Sequence, residues 1–425
     1  MTNRAWNRLS SVSEYDTLLL TAGIWFLAKF LRFSFPALFP TFRTEFGVSN
    51  AFLGGVFTAT MLGYSLMQFP SGVLADRFGA VQVIAAGAVL AAAGALVLGF
   101  HIPLVVLIVG MLLVGLGTGV HKTVAIRLLS RVYSERTGRA LGLFDTLGAF
   151  GGVAAPTAVL FVTGMGNWHA LFLVGAVMGL LLAVGVVVYV PRRTGTADAA
   201  DSADAASATD GGESTGSFEP RRYLALFRSR RFTLFVGVTV CFSFAYNGVV
   251  AFLPLYLTTH GLSDSTASLV YSLLFAVSLV QILTGDLSDR IGRLPLAMAV
   301  LAVAAGALGA LSVVGNASAF VFGAIVVALG LGSHGFRPIR GAYLAASIPE
   351  DVAGGGLGIA RTILMGVGAL APAVVGVLSD ATGFGVAFGL LAVTMAGGAL
   401  LAGVTAMVER RVTSPLSDVT GGDPR

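Results

Sequence analysis

Lys29 and Arg32 are the only charges in the apolar run 17–40, so their presence there needs a reason. Lys122, Arg337 and Arg361 place further cations inside other apolar runs, and Asp145 supplies a carboxylate inside one more. Charge in an apolar span is costly and marks a functional site by default. Guanidinium grips carboxylate and phosphate groups in a bidentate fork, so an excess of cation suits an anionic ligand. A buried carboxyl released from a cation can take up a proton. His121 and His334 sit in the same runs as Lys122 and Arg337, as proton carriers or as packing residues.

Spacing groups these residues further. Trp25, Lys29, Arg32 and Pro36 follow i, i+4, i+7, i+11 and share one helix face. That face must look into a helix bundle or a wet cavity. Arg127 and Arg340 stand near the ends of their runs, where long side chains snorkel to the interface, and they are discounted.

The runs that carry these residues are long enough to cross a membrane, which takes about 20 apolar residues. Spans are expected at 17–40, 50–71, 81–100, 103–128, 140–163 and 168–190, then at 232–257, 265–284, 294–314, 318–341, 356–379 and 384–407. The chain has 425 residues, of which 56% are hydrophobic and 11% charged, and a mean hydropathy of +0.87. A soluble protein carries about 25% charge. The single cysteine, Cys241, excludes an intrachain disulfide. Met1 to Ser13 is polar and shows no cleavable signal peptide.

The two halves repeat each other. Gly72-Val73-Leu74-Ala75-Asp76-Arg77-Phe78-Gly79 returns 213 positions later as Gly285-Asp286-Leu287-Ser288-Asp289-Arg290-Ile291-Gly292. Gln68 and Gln281 each stand four residues upstream. Gly47 aligns with Gly261, Gly115-Leu116-Gly117 with Gly330-Leu331-Gly332, and Pro156 with Pro372, at offsets of 214, 215 and 216. The same offsets pair Lys122 with Arg337 and Asp145 with Arg361. The counterparts of Lys29 and Arg32 fall near Ser243 and Tyr246, with Asn247 adjacent, so the cationic pair belongs to one half only. Internal repeats of hydrophobic helices mark secondary transporters.

The repeated turn resembles the G-x-L-A-D-R-x-G-R-K signature of the major facilitator superfamily. Gly72, Leu74, Ala75, Asp76, Arg77 and Gly79 match it. Ala80 and Val81 depart from its basic end, whereas the second copy carries Arg293. The resemblance implies an all-α membrane protein with twelve transmembrane helices in two pseudo-symmetric six-helix bundles, working by alternating access. It also implies that the two charged turns control conformation, and that helices four, five, ten and eleven meet at a cytoplasmic gate. Two readings of Lys122, Asp145, Arg337 and Arg361 therefore stand open, as substrate and proton groups or as gate pairs. The glycine- and proline-rich fifth-helix pattern of the drug-antiporter branch is matched only loosely by Gly148 to Pro156.

Arginine sets the expected orientation. Arg4, Arg8, Arg77, Arg131, Arg136, Arg139, Arg192, Arg193, Arg290, Arg293, Arg410 and Arg411 fall on one side, and Arg43 alone lies in the short loops of the other. The positive-inside rule puts both termini in the cytoplasm. Expected parts are a cytoplasmic N-terminus 1–16, a bundle 17–190, a linker 191–231, a bundle 232–408 and a cytoplasmic tail 409–425. Thr194 to Glu219 is too poor in apolar residues to fold, and Phe218 to Phe232 reads as a basic juxtamembrane segment.

The expected function is a proton-coupled secondary transporter of a small organic anion in the plasma membrane. Lys29, Arg32, Lys122, Tyr246, Asn247 and Arg337 are the expected substrate contacts, and Asp145, Arg361, His121 and His334 the proton or gate groups. Expected partners are a small anionic solute, the lipid bilayer and protons, with a monomeric chain. No nucleic-acid partner is expected, because the net charge of +5 follows from topology. No metal motif, nucleotide loop or hydrolytic triad occurs, so neither a cofactor nor enzymatic activity is expected. The rival readings are an exporter of hydrophobic compounds, which the embedded cations disfavour, and a membrane sensor, which lacks a folded signalling segment.

Overall fold

A computed structural model describes residues 15–101, 103–190, 226–348 and 353–413. Helices and short turns account for its regular structure, with no strand among the described residues. The helices are α1 (Asp16–Phe46), α2 (Asn50–Phe78), α3 (Ala80–Leu98), α4 (Leu104–Val132), α5 (Thr137–Gly164) and α6 (His169–Tyr189). They continue with α7 (Arg230–Thr259), α8 (Asp264–Ile291), α9 (Arg293–Val313), α10 (Ala319–Ser347), α11 (Ala353–Thr382) and α12 (Phe384–Thr413). Among the described residues, 11 helices are long and apolar enough to cross a membrane, and α2, at 29 residues, is the twelfth of the series. Most of the expected linker, 191–225, and most of both tails lie outside the described residues.

Several helices overrun the apolar spans. α1 was expected at 17–40 and runs for 31 residues to Phe46. At about 1.5 Å per residue it outreaches a hydrocarbon core of about 30 Å. Its last turns are polar, and the backbone ladder simply continues past the apolar window that defined the span. α8 likewise runs seven residues past the expected 284 and contains the second charged turn.

Contacts divide the chain into two units. One is Met1–Val48 with Val56–Gly216; the other is Ser49–Gly55 with Ser217–Arg425. In the first, α1 packs on α5 and α6, and α3 packs on α4 and α6. In the second, α7 packs on α11 and α12, and α9 packs on α10 and α12. These pairings correspond one for one under the sequence repeat. Within the second unit, the Asp380 carboxylate accepts backbone N–H groups of Asn50 (3.2 Å) and Ala51 (2.7 Å), capping the start of α2.

The repeat extends to backbone angles. Gly79 has φ 88° and ψ 147°, and Gly292 has φ 95° and ψ 144°. Each glycine ends one helix and begins the next in a conformation closed to residues with a Cβ. The units differ elsewhere. α4 is broken at Val120 into Leu104–Gly119 and His121–Val132, while α8 is broken by a tight turn at Val277–Leu279.

Candidate functional site

In the first unit the site is built on α1. Trp25 is buried and stacked on Phe144 of α5, with centroids 6.0 Å apart and planes 11° apart. Gly148 makes this possible, because a Cβ there would collide with the Trp25 indole. Three cations surround the indole: Lys29 Nζ at 5.0 Å from the ring centroid, Lys122 Nζ at 5.3 Å and the Arg32 guanidinium carbon at 5.6 Å. The shared α1 face expected from spacing therefore exists, and α4 adds Lys122 to it. The indole Nε1 is buried with no hydrogen-bond partner.

Arg32 is only 7% exposed. Its guanidinium lies 3.8 Å from the centroid of the Tyr64 ring, and its Nε donates to the Ala28 carbonyl at 3.1 Å. Those contacts fix the plane of the fork. Among the described residues no carboxylate pairs with it. Tyr64 was not singled out in the sequence, where it is one aromatic in an apolar run.

Lys122 Nζ stands 2.9 Å from Asp145 Oδ1, with side-chain exposures of 20% and 53%. The carboxyl is thus only half covered while it holds a cation beside the Trp25 face. His121, one residue before Lys122, is 1% exposed and has a ring nitrogen 3.3 Å from the Thr21 carbonyl. It lines a small cavity with Ile24, Ala28 and Thr118, and its Nδ1 is buried with no hydrogen-bond partner among the described residues.

The second unit places a different set on the equivalent helices. Arg337 of α10 lies 4.7 Å from the Tyr246 ring of α7, and Arg340 lies 5.6 Å from the Phe242 ring. Tyr246 and Phe242 stack at 5.7 Å and 18°, and His334 meets Tyr246 edge-on at 6.0 Å. Asn247 donates to the Ser243 carbonyl at 2.8 Å, within its own helix. Arg340 was discounted as an interface residue, yet it lies beside Phe242 and within electrostatic reach of Arg337 and Arg361.

The charged turns are tied to neighbouring helices by unlike chemistry. In the first, Arg127 of α4 donates to Asp76 at 3.0 Å, and Arg77 lies over the Phe78 ring. In the second, Arg293 donates to the Ala342 carbonyl of α10 at 3.3 Å, and Asp289 forms no ion pair among the described residues. Gln68 bridges the break in α4, donating to Gly119 at 3.0 Å and accepting from Thr123 at 2.8 Å. No group of three metal-ligating side chains is present among the described residues.

Comparison with known proteins agrees with this architecture. The family model described as Major Facilitator Superfamily matches residues 21–332 and 281–422. A probable sulfoacetate transporter of Cupriavidus necator is 28% identical over 379 residues, 85% of this chain and 86% of that one. A 4-hydroxybenzoate transporter of Pseudomonas putida is 35% identical over 158 residues, 36% of this chain and 34% of that one. The crystal structure of a D-xylose-proton symporter superposes with a TM-score of 0.74 at 16% identity, covering 92% of this chain and 97% of that one. With twelve long helices among the described residues, its repeated Gly-Asp-Arg-Gly turns and a family match over most of its length, the chain belongs to the Major Facilitator Superfamily and is a multi-pass membrane transport protein rather than an enzyme.

Proposed function

We propose that this transporter carries a small organic anion across the cell membrane by alternating access, coupled to protons, with both termini in the cytoplasm. One observation carries the reading: Arg32 is a buried guanidinium held flat against Tyr64, with no carboxylate partner among the described residues. A buried charge is costly unless something of opposite sign meets it. A carboxylate or sulfonate group would satisfy the fork, and the Trp25 indole offers apolar surface and a spare N–H beside it. Relatives named for sulfoacetate and 4-hydroxybenzoate support an anionic substrate, since both compounds are anions at neutral pH.

Proton coupling is assigned to Asp145. When Lys122 turns to the substrate, the half-covered Asp145 carboxyl loses its cation and takes a proton. The arginine asymmetry of the loops supports cytoplasmic termini. The test is uptake by proteoliposomes of labelled sulfoacetate, 4-hydroxybenzoate and an uncharged sugar, with and without an imposed pH gradient. Accumulation of an anion driven by the gradient, with no uptake of the sugar, is the expected result. Uptake of the sugar alone would overturn the anion reading.

A further inference from the structure

The repeat sets up a controlled comparison. Lys122 and Asp145 form a 2.9 Å ion pair in the first unit. Their counterparts in the second unit, Arg337 and Arg361, are both cations. A third arginine, Arg340, stands where the first unit has the fully buried Ala125. All three arginines are half-buried. Arg340 feels the charges of both Arg337 and Arg361. No carboxylate pairs with any of them among the described residues. One half of the protein thus neutralises a position pair that the other half loads with like charge.

Repulsion of this kind weakens a bundle unless a ligand supplies the missing negative charge. A polar group already points to one. The Tyr246 hydroxyl belongs to a side chain only 6% exposed, and Arg337 beside it is the group that reaches it. Guanidinium forks and a phenolic O–H are together suited to oxygen acceptors. A single charge would leave the arginines mostly uncompensated, so the ligand must carry at least two.

We propose that Arg337, Arg340 and Arg361, with the Tyr246 hydroxyl, form an oxyanion site in the second unit that takes a multiply charged oxyanion. Its residues belong to the second unit, whereas the Arg32 anchor on which the proposed function rests belongs to the first, and it adds a second anion requirement to the protein.

The test uses the purified full-length protein, with sulfate as the probe and sodium chloride at equal ionic strength as the control. Sulfate should raise the thermal unfolding midpoint of the wild type beyond the chloride control. Arg340→Gln and Arg361→Gln should unfold at a higher temperature than wild type without sulfate, because a repelling charge is gone. Both should lose the sulfate-specific rise. Arg340→Lys keeps the charge and loses the fork, so it should show a smaller sulfate rise without the gain at zero sulfate. Arg32→Gln should keep the part of the sulfate effect that Arg340→Gln and Arg361→Gln remove, which distinguishes this site from the transport anchor. The proposal is overturned if sulfate does no more than chloride on the wild type. It is equally overturned if the two glutamine variants respond like wild type, or are less stable than wild type without sulfate. Loss of uptake in Arg32→Gln alone bears on the transport reading and leaves these outcomes unchanged.

Discussion

The Arg32 guanidinium carbon on α1 lies 3.8 Å from the centre of the Tyr64 ring on α2. The ring holds the fork in one plane and leaves its outer edge for a ligand. Arg32→Gln is expected to weaken anion binding by about 1.5–3 kcal/mol, the value of a hydrogen bond to a charged group. Arg32→Lys should recover only part, because an ammonium has no fork. Tyr64→Leu removes the platform and should cost about 0.5–2 kcal/mol, roughly 2- to 30-fold in Kd. Tyr64→Phe should bind nearly as well as wild type. Equilibrium binding of a radiolabelled anion to the four variants measures the series.

Asp145 should separate coupling from exchange. In Asp145→Asn, accumulation driven by a pH gradient is expected to disappear while exchange of internal for external substrate survives. The side chain remains similar in size, so folding and yield should be unchanged. Proteoliposomes with and without an imposed gradient make the comparison. Gradient-driven accumulation in this variant would place the proton elsewhere.

Asp76 and Arg127 are exposed, at 66% and 55% of the side chain. An exposed pair contributes no more than about 1 kcal/mol to stability. Asp76→Asn should therefore leave the melting temperature nearly unchanged but lower the transport rate, since the α2–α3 turn loses its tie to α4. Asp289→Asn should have the smaller effect on rate, because that carboxylate forms no ion pair among the described residues. Rate and melting temperature measured on the same preparations check both statements.

Gly148 bears directly on the Trp25 wall. Gly148→Ala pushes a methyl group into the indole, and Gly148→Val pushes more. Anion affinity should fall in that order, with tryptophan emission shifting as Trp25 moves. Unchanged emission and affinity would show that the indole does not wall the site.

Much of this arrangement is legible in sequence because helices make spacing into geometry. The i, i+4, i+7 pattern of Trp25, Lys29 and Arg32 becomes a shared face, and the repeated turn becomes a pair of near-identical glycine conformations. Contacts between helices leave no such periodic trace. Tyr64 lies on a different helix from Arg32, and nothing in the apolar run around it points to a cation. Arg340 stands near a span end, where snorkelling is the usual outcome, but the Phe242 ring holds it beside Arg337. Gln68 was visible as a repeated position, whereas its bridging role depends on the break in α4 at Val120. Helix lengths were underestimated because hydropathy reports the lipid and backbone hydrogen bonding reports the helix.

Phe78 ends α2 and Ala80 begins α3, so Gly79 alone joins them; Gly292 alone joins α8 to α9. A one-residue connection gives the two helices no slack to move independently at that end. Any tilt of one helix is therefore handed directly to its neighbour, and each pair moves as a single lever. The positive-φ glycine sets the angle of that lever, and a side chain placed there would change the angle of both helices at once.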